Sequence, residues 1–235
     1  AKSFGMDALA VTDHGAMYGS FKFYLKAKAA GIKPIIGVET YVARRSRFDK
    51  EANVDTDPYH LVLLAKNETG YKNLMKLVTA AHLEGYYYKP RIDWEILQKH
   101  HDGVICLSAC LHGQVPSLLR NNQDSEAETV ARKYAELFGK DHYYIELQRH
   151  PKIEDCDLVN EKLVKLAQKL GLPIVATNDI HYVDEEDAEA QEILLCVQTQ
   201  RTILDKNRPL SMQDSPDFYM RSPLEMEELF IQYPE

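Results

Sequence analysis

The sequence has few cysteines and no long hydrophobic run. Only four of its 235 residues are cysteines, and none of them forms a CxxC pair. A chain of this length does not need disulfides to stabilise its core, so the pattern indicates a reducing compartment. No stretch approaches the roughly 20 apolar residues of a membrane-spanning helix. We therefore expect a cytoplasmic protein that does not associate with a membrane.

The chain also has no excess of positive charge. It contains 36 acidic and 28 basic residues, which gives a formal net charge of -8. A protein of this charge is not drawn as a whole to a phosphate backbone, so any binding of nucleic acid must depend on local segments. The hydrophobic fraction of 45% is ordinary for a globular protein and is enough for one large α/β domain or two small ones.

Short apolar runs alternate with amphipathic stretches along the chain. The predicted strands are 8–11, 34–42, 60–65, 103–110, 143–148 and 173–179, and the predicted helices are 17–30, 71–82, 125–138, 154–170 and 185–197. Gly31 and Gly171 are expected to end two of these helices. The polar residues 44–58 are typical of an exposed loop. The alternation predicts a parallel sheet with helices outside it, either a barrel or a doubly wound sheet.

Side chains that can bind metal ions lie close to the ends of the predicted strands. They are Asp13, His14, Glu39, Cys110, His150, Asp179 and His181. Because the carboxyl ends of parallel strands form one face, these side chains are expected to meet in one cleft. If the last strand continues through Asp179 and His181, both point to the same side. His60 begins its strand instead of ending it, so structural and functional roles are equally consistent with its position.

Each of these residues also has a purely structural interpretation, because a single His or Asp beside a strand is more often a cap than a ligand. Since His14 directly follows Asp13, one of the two faces a metal while the other orients it or caps the next helix. Together the imidazole, carboxylate and thiolate groups suit zinc, manganese or iron. Such ions polarise a phosphoryl oxygen and lower the pKa of bound water, which favours phosphoester chemistry.

A second candidate segment combines aromatic and basic side chains. Tyr87, Lys89 and Arg91 could stack on and clamp a single nucleic-acid strand, although a packed loop is the commoner role of such a segment. The remaining histidines are expected to be solvated or to cap turns; they are His82, His100, His101, His112 and His142.

Several segments together resemble a known family. They are TDHG at 12–15, GVE at 37–39, HLVLLAKN at 60–67, ELQRH at 146–150 and ATNDIHY at 176–182. These resemble the PHP (polymerase and histidinol phosphatase) domain of bacterial DNA polymerase III alpha subunits. GIKPIIGVE and the tail PDFYMRSPLEMEELF extend the likeness over essentially the whole chain. The resemblance implies a distorted (β/α)7 barrel with a polynuclear metal cluster.

The resemblance also implies a ligand set and a domain organisation. The implied ligands are His14, Glu39, His60, Cys110, Asp179 and His181, with Asp13 and His150 beside the ligands or against the substrate. The family's first motif, of the HxHxxYS type, does not occur here. We expect it upstream of Ala1, so that the fragment is truncated at both ends and lacks the N-terminal strand and part of the ligand set. Residues 1–200 would form the PHP domain, and residues 201–235 a connector to a polymerase palm domain.

The implied activity is phosphoester hydrolysis, as a 3′-to-5′ exonuclease that proofreads a DNA primer terminus. The implied cofactors are divalent transition metal ions, zinc or manganese, with magnesium serving the polymerase reaction of the parent protein. The implied partners are the palm and thumb domains of the same chain and other replicase subunits. A metal-stabilised scaffold that braces the polymerase and docks a proofreading subunit is the alternative. A free-standing phosphatase is disfavoured by the tail, which has no use in a lone barrel.

Overall fold

The computed structural model describes residues 1–213 and 215–233, so Asp214, Pro234 and Glu235 of the predicted connector lie outside the described residues. The strands are β1 Ala8–Val11, β2 Lys33–Val42, β3 Tyr59–Ala65, β4 Arg91–Ile92, β5 Val104–Leu107, β6 Tyr143–Leu147 and β7 Ile174–Ala176. The helices are α1 Ser20–Ala30, α2 Glu68–Leu83, α3 Trp94–Lys99, α4 Gln114–Arg120, α5 Asp124–Phe138, α6 Cys156–Leu170, α7 Ala188–Thr199 and α8 Pro223–Leu229. Within the described part, no helix is both long and apolar enough to cross a membrane.

The seven strands form one sheet in the order β1-β2-β3-β5-β6-β7, with β4 paired to β2. All recorded pairings are parallel except those of β3, which runs antiparallel to both β2 and β5. The prediction of a wholly parallel sheet is therefore wrong for β3. A parallel neighbour of β2 would need a crossover, usually a helix, whereas β3 follows β2 through a loop without an intervening helix. As a result, the first residues of β3 lie at the same edge as the last residues of the other strands.

The sheet curls so that its two ends approach each other. His14 follows β1 and His181 follows β7, at opposite ends of the strand order, yet their ring centroids are 6.1 Å apart. Helices α2, α5 and α6 cover the outside with fully buried side chains such as Leu74, Leu77 and Ala131. The expected distorted α/β barrel is confirmed, and its curvature positions the strand ends around one cavity.

Most of the predicted elements are present, but several ends differ from the prediction. Helices α1 and α7 begin three residues later than predicted, at Ser20 and Ala188, and α2 begins three residues earlier, at Glu68. Strands β5 and β7 each end three residues earlier than predicted, at Leu107 and Ala176. Gly31 and Gly171 do end helices, each in the left-handed conformation. The early end of β7 means that Asp179 and His181 lie in a loop, so strand alternation does not explain their common direction.

The loop that joins β2 to β3 is held by a buried arginine. Arg91, the first residue of β4, is fully buried, and its guanidinium donates hydrogen bonds to the carbonyl oxygens of Gly85, Asp55, Arg47 and Asp49 at 2.8–3.1 Å. The expectation that Arg91 contacts nucleic acid is therefore wrong, because the side chain is fully buried and Nε, Nη1 and Nη2 each donate to the protein's own backbone. Because three carbonyl groups of residues 44–58 bind the buried Arg91, this segment is not the simple exposed loop that was predicted.

We expect Asp55→Asn to remove a stabilising contribution that disappears in acid. Hydrogen bonds from Arg45, at 2.6 and 3.1 Å, and from the backbone of Glu51 lower the pKa of Asp55 to about 2. A lowered folded-state pKa stabilises the protein above the ordinary pKa of about 4, and the contribution is lost as the pH falls toward 2. Urea unfolding of the variant should show a deficit at pH 7 that shrinks between pH 4 and 2.

Asp57→Asn is the matched control, because Asp57 pairs with Arg44 but its side chain is 78% exposed. Exposed ion pairs contribute little, so this variant should follow the wild-type stability at every pH. A deficit of Asp55→Asn that stays constant from pH 7 to pH 2 would contradict the assignment to the Asp55 charge.

Candidate metal centre

All six predicted ligands line one cavity of about 420 Å³; they are His14, Glu39, His60, Cys110, Asp179 and His181. A volume of this size suits a small substrate or the end of a larger one. The side chains come from β2, β3 and the segments that follow β1, β5 and β7. His60 joins them because β3 is antiparallel, which places the beginning of that strand at the site. The predicted convergence at one edge of the sheet is what the structure shows; metal ligation itself stays a prediction.

Glu39 lies between two histidines. Its carboxylate is 2.6 Å from Nδ1 of His60 and 3.7 Å from Nδ1 of His14. Tyr41 lies opposite His60 in the β2–β3 ladder, and Glu39 lies two residues along on the same face, which explains this diagonal contact. Burial opposes ionisation of Glu39, but the hydrogen bond from His60 and the nearby imidazoles outweigh it and lower its pKa. The carboxylate is therefore kept ionised, as a metal ligand must be.

Cys110 forms a second group with His60 and His112. Its Sγ is 3.5 Å from Nδ1 of His60 and 3.8 Å from Nδ1 of His112. Burial, together with the charge of Glu39, raises the pKa of the Cys110 thiol well above its usual value. His112 was expected to be solvated or to cap a turn, and its position beside two predicted ligands was missed. Its spacing of two residues from Cys110 was the available signal.

Asp179 and His181 approach the site from the loop after β7. The two side chains are 3.5 Å apart and about four-fifths buried. Burial raises the pKa of Asp179 to about 6, with Glu39 acting in the same direction and His181 against it. The backbone N–H of His181 donates to the carbonyl oxygen of Phe218, which fixes this loop against the C-terminal part of the chain.

Glu146 is a fully buried carboxyl group that the sequence analysis did not single out. It accepts hydrogen bonds from the backbone of Ala109, from Gln148 and from Thr177. Burial raises its pKa to about 7. Glu146 thereby connects Ala109, which precedes Cys110, to Thr177, which lies two residues before Asp179. The sequence feature that could have identified Glu146 is its position as an acidic side chain within an otherwise apolar strand.

The two residues expected beside the ligands lie in different surroundings. His150 lines the cavity, is 5% exposed and stacks on Phe218 with ring centroids 4.3 Å apart. Neither of its ring nitrogens has a hydrogen-bond partner among the described residues. Burial, together with the charge of Arg221, lowers its pKa to about 4, so the ring is neutral at pH 7. Asp13 is exposed, does not line the cavity, and places its carboxylate beside Gly19 before α1.

Tyr87 and Lys89 lie at the outer side of the site. Lys89 is exposed, with its Nζ 5.4 Å from the ring centroid of Tyr41, and that ring stacks on His14. Tyr87 is half-buried and contacts the ring of Tyr88. Lys89 is therefore placed near the ligands with a free approach to solvent, whereas Arg91 is not. Contact of Tyr87 and Lys89 with nucleic acid stays a prediction.

Part of the predicted connector forms a wall of the cavity. Phe218 lines it, and Met212 accompanies Phe218 there. Glu192 of α7 holds this segment by accepting hydrogen bonds from the backbone of Met212 and the hydroxyl of Ser211, and by pairing with Arg208 at 2.8 Å. Part of the segment beyond residue 200 thus packs against the site.

The chemistry of the donor set fits divalent transition metals. The nitrogen, oxygen and sulfur atoms of His14, Glu39 and His60, and of His60, Cys110 and His112, each lie within 4.8 Å of one another. Imidazole and thiolate suit zinc, and additional carboxylates allow manganese or iron. The residues present therefore fit the kind of ion that the family resemblance implies.

The comparisons with known proteins agree with this architecture. Residues 1–150 match the PHP domain family. The chain is 51% identical over 236 residues to a DNA polymerase III subunit alpha of Treponema pallidum, and 46% identical over 221 residues to that of Thermus aquaticus. These matches cover 100% and 93% of the chain but only 20% and 18% of the relatives, so the chain spans about one-fifth of their length. With its curled sheet, its cavity of predicted ligands and this match, the chain belongs to the PHP domain family.

Proposed function

We propose that this chain is the metal-dependent phosphoesterase domain of a replicative DNA polymerase, acting as a 3′-to-5′ exonuclease on the DNA primer terminus. The observation that carries the proposal is the meeting of six predicted ligands in one cavity. In the parent protein, the polymerase reaction would use magnesium in a palm domain outside this chain. That palm domain, the thumb domain and other replicase subunits are the proposed partners, in the bacterial cytoplasm.

His14, Glu39, His60, Cys110, Asp179 and His181 would hold zinc or manganese. Ions bound there would polarise a phosphoryl oxygen and make a nearby water more acidic. The buried, ionised Glu39 and the neighbouring imidazoles supply donors that are already deprotonated or easily become so. The cavity therefore combines the donor types with the charge state that phosphoester hydrolysis needs.

Other side chains of the cavity suit an anionic substrate. Arg120 and Lys152 line it, and both carry a positive charge that can contact a phosphate. Neutral His150 has two ring nitrogens in the cavity wall that lack a hydrogen-bond partner among the described residues, one able to donate and the other to accept. These groups would position a phosphodiester. Arg120 and Lys152 would supply the local positive charge that the net charge of -8 does not.

A scaffold without turnover is the second candidate, and one observation favours it. The predicted ligands come from five separate segments around the barrel, so a bound ion would tie these segments together. Because the ligands are assembled only in the folded state, binding alone would stabilise the domain. In this role the domain would brace the polymerase and dock a separate proofreading subunit.

Digestion of labelled single-stranded DNA by the intact protein, together with its metal content, tests the proposal. The double variant Asp179→Ala, His181→Ala should lose bound metal and digest DNA from the 3′ end at least about a hundredfold more slowly. His101→Ala, Asp102→Ala is the matched control, since this neighbouring histidine–aspartate pair lies at the start of β5 and outside the cavity. It should behave as the wild type does.

The two candidate functions give different results in this experiment. Bound transition metal with digestion that the double variant abolishes supports the exonuclease. Wild-type protein that holds the metal but releases no nucleotides would overturn the exonuclease and leave the scaffold. A double variant that digests at the wild-type rate would show that the activity arises elsewhere in the protein.

A further inference from the structure

His112 lies in a cluster whose donor atoms differ from those around Glu39. Cys110 contributes a thiol, and His60 and His112 contribute imidazoles, with Nδ1–Sγ distances of 3.5 Å for His60 and 3.8 Å for His112. The two imidazole rings are 5.4 Å apart between centroids. A thiol is only a weak hydrogen-bond donor and a weak acceptor, so it would hold the two imidazoles less firmly than a shared metal ion.

The separations match those of ligands around a tetrahedral ion. With zinc–nitrogen bonds of 2.0–2.1 Å and a zinc–sulfur bond near 2.3 Å, adjacent nitrogen and sulfur ligands are separated by about 3.6 Å. Both observed Nδ1–Sγ distances lie within about 0.2 Å of this value. The sulfur and the two nitrogens are therefore already at the spacing of neighbouring ligands.

The backbone fixes His112 in this position. The N–H of His60 donates to the carbonyl oxygen of His112 at 3.0 Å, and the N–H of Gly113 donates to the carbonyl oxygen of Cys110 at 2.8 Å. The turn is tight, since a Cβ on Gly113 would lie 2.1 Å from the carbonyl oxygen of Ser108. His112 is thus tied to the start of β3, although its side chain is exposed. Such preorganisation favours binding, because little conformational entropy is lost.

We propose that His112 completes, with Cys110 and His60, a subsite for zinc or another thiophilic divalent ion. The inference rests on the proposed metal centre and deepens it by adding a ligand that the family resemblance does not supply. Three protein ligands of this kind would leave one position of a tetrahedral ion free for water or a substrate oxygen. On binding, the S–H bond of Cys110 breaks, its proton passes to solvent, and the thiolate sulfur bonds to the ion.

The donor types predict which ions the subsite selects. Thiolate and imidazole favour zinc, cobalt or cadmium, whereas manganese prefers carboxylate oxygens. Loss of Cys110 or His112 should therefore weaken zinc binding much more than manganese binding. A change confined to the Glu39 group would not produce this selectivity.

Metal titration of the intact protein, stripped of metal by a chelator, tests the inference without measuring turnover. The probes are zinc, for affinity, and cobalt, whose absorption shows a thiolate charge-transfer band and a strong tetrahedral band. His112→Ala should raise the zinc Kd by about tenfold or more and weaken the tetrahedral cobalt band. Cys110→Ser should remove the charge-transfer band. His142→Ala, at a histidine that contacts Lys66 away from the cavity, should reproduce both wild-type readings.

The outcomes separate this inference from the proposed function. A His112→Ala variant with wild-type zinc affinity and cobalt absorption would overturn the role of His112 and leave the metal centre standing. Wild-type protein that binds cobalt without a thiolate band would overturn the whole subsite. Failure to digest DNA has no bearing on these readings, whereas wild-type protein that binds neither ion would overturn both proposals. Circular dichroism of the metal-free variants checks that they are folded.

Discussion

Replacement of Arg91 by leucine is expected to lower the free energy of unfolding by about 3–5 kcal/mol, because several carbonyl oxygens lose a charged hydrogen-bond donor. The guanidinium is fully buried, and the carbonyl oxygens of Gly85, Asp55, Arg47 and Asp49 accept its hydrogen bonds. Leucine fills much of the volume but donates no hydrogen bond, so the carbonyl oxygens of Asp55, Arg47 and Asp49 lose this donor, while that of Gly85 keeps the backbone N–H of residue 91. Each buried unsatisfied acceptor costs about 1–3 kcal/mol.

Two further variants test whether the loss of stability comes from the hydrogen bonds of Arg91. Arg91→Lys keeps a positive charge but cannot reproduce the planar fork of donors, so it should be destabilised, though less than Arg91→Leu. Arg44→Leu is the matched control, because Arg44 pairs with Asp57 on the surface and should contribute at most about 1 kcal/mol. Urea unfolding measures all three. If Arg91→Leu loses no more stability than Arg44→Leu, water has replaced the guanidinium and the loop is not held as described.

The prediction that Arg91 contacts nucleic acid failed for a physical reason. A basic residue beside three tyrosines is compatible with a nucleic-acid contact, and only the three-dimensional path of residues 44–58 shows the guanidinium enclosed by carbonyl groups. Burial of an arginine depends on partners supplied from distant parts of the chain, in this case up to 44 positions away. No local pattern reports such partners, so Lys89 and Arg91 looked alike although one is exposed and the other is not.

The candidate site was predictable where it depends on strand ends. His14, Glu39 and Cys110 follow or end apolar runs, and that placement alone predicted their convergence. The position of His60 could not be predicted because strand direction cannot be read from an apolar run; the antiparallel course of β3 places it at the cavity. His112 was missed because β5 ends at Leu107 and the chain then turns back toward β3, a tertiary feature without a residue pattern of its own.

Asp179 and His181 were placed at the site for an incomplete reason. The alternation argument requires a strand through residue 181, but β7 ends at Ala176. The loop is instead held by contacts with the segment around Phe218 and by Thr177, which donates to Glu146. The family motif ATNDIHY identified two residues that line the cavity, while the physical reason for their position lies in long-range hydrogen bonds.

Glu146→Gln is expected to reverse the stability difference from wild type between acid and alkaline pH. The pKa of Glu146 is raised from the ordinary 4.5 to about 7, mainly by burial. A raised folded-state pKa means that the folded protein favours the protonated form. Its stabilising contribution is therefore complete below about pH 4.5 and is lost as the pH rises to about 7. At about 1.4 kcal/mol per pKa unit, the loss amounts to about 3 kcal/mol.

Glutamine removes this pH dependence but also one hydrogen bond. Its amide oxygen can accept from the backbone of Ala109 and its amide nitrogen can donate to the hydroxyl of Thr177, but Gln148 then loses its acceptor. Loss of that bond costs about 1 kcal/mol. The variant should therefore be about 1 kcal/mol less stable than wild type at pH 4 and about 2 kcal/mol more stable at pH 8.

Urea unfolding from pH 4 to 8, with a chelator present, measures the pH at which the stabilities of the variant and the wild type cross. Asp179 also has a raised pKa, at about 6, and its charge helps to raise that of Glu146, but it is present in both proteins, so most of its own contribution cancels in the difference. Glu136→Gln, an exposed position on α5, is the matched control and should show no crossing. A Glu146→Gln difference that is the same at every pH would mean that the carboxyl does not titrate near 7. In that case Glu146 would join the Cys110 and Asp179 segments as a permanent carboxylate, and its burial would be balanced by hydrogen bonds alone.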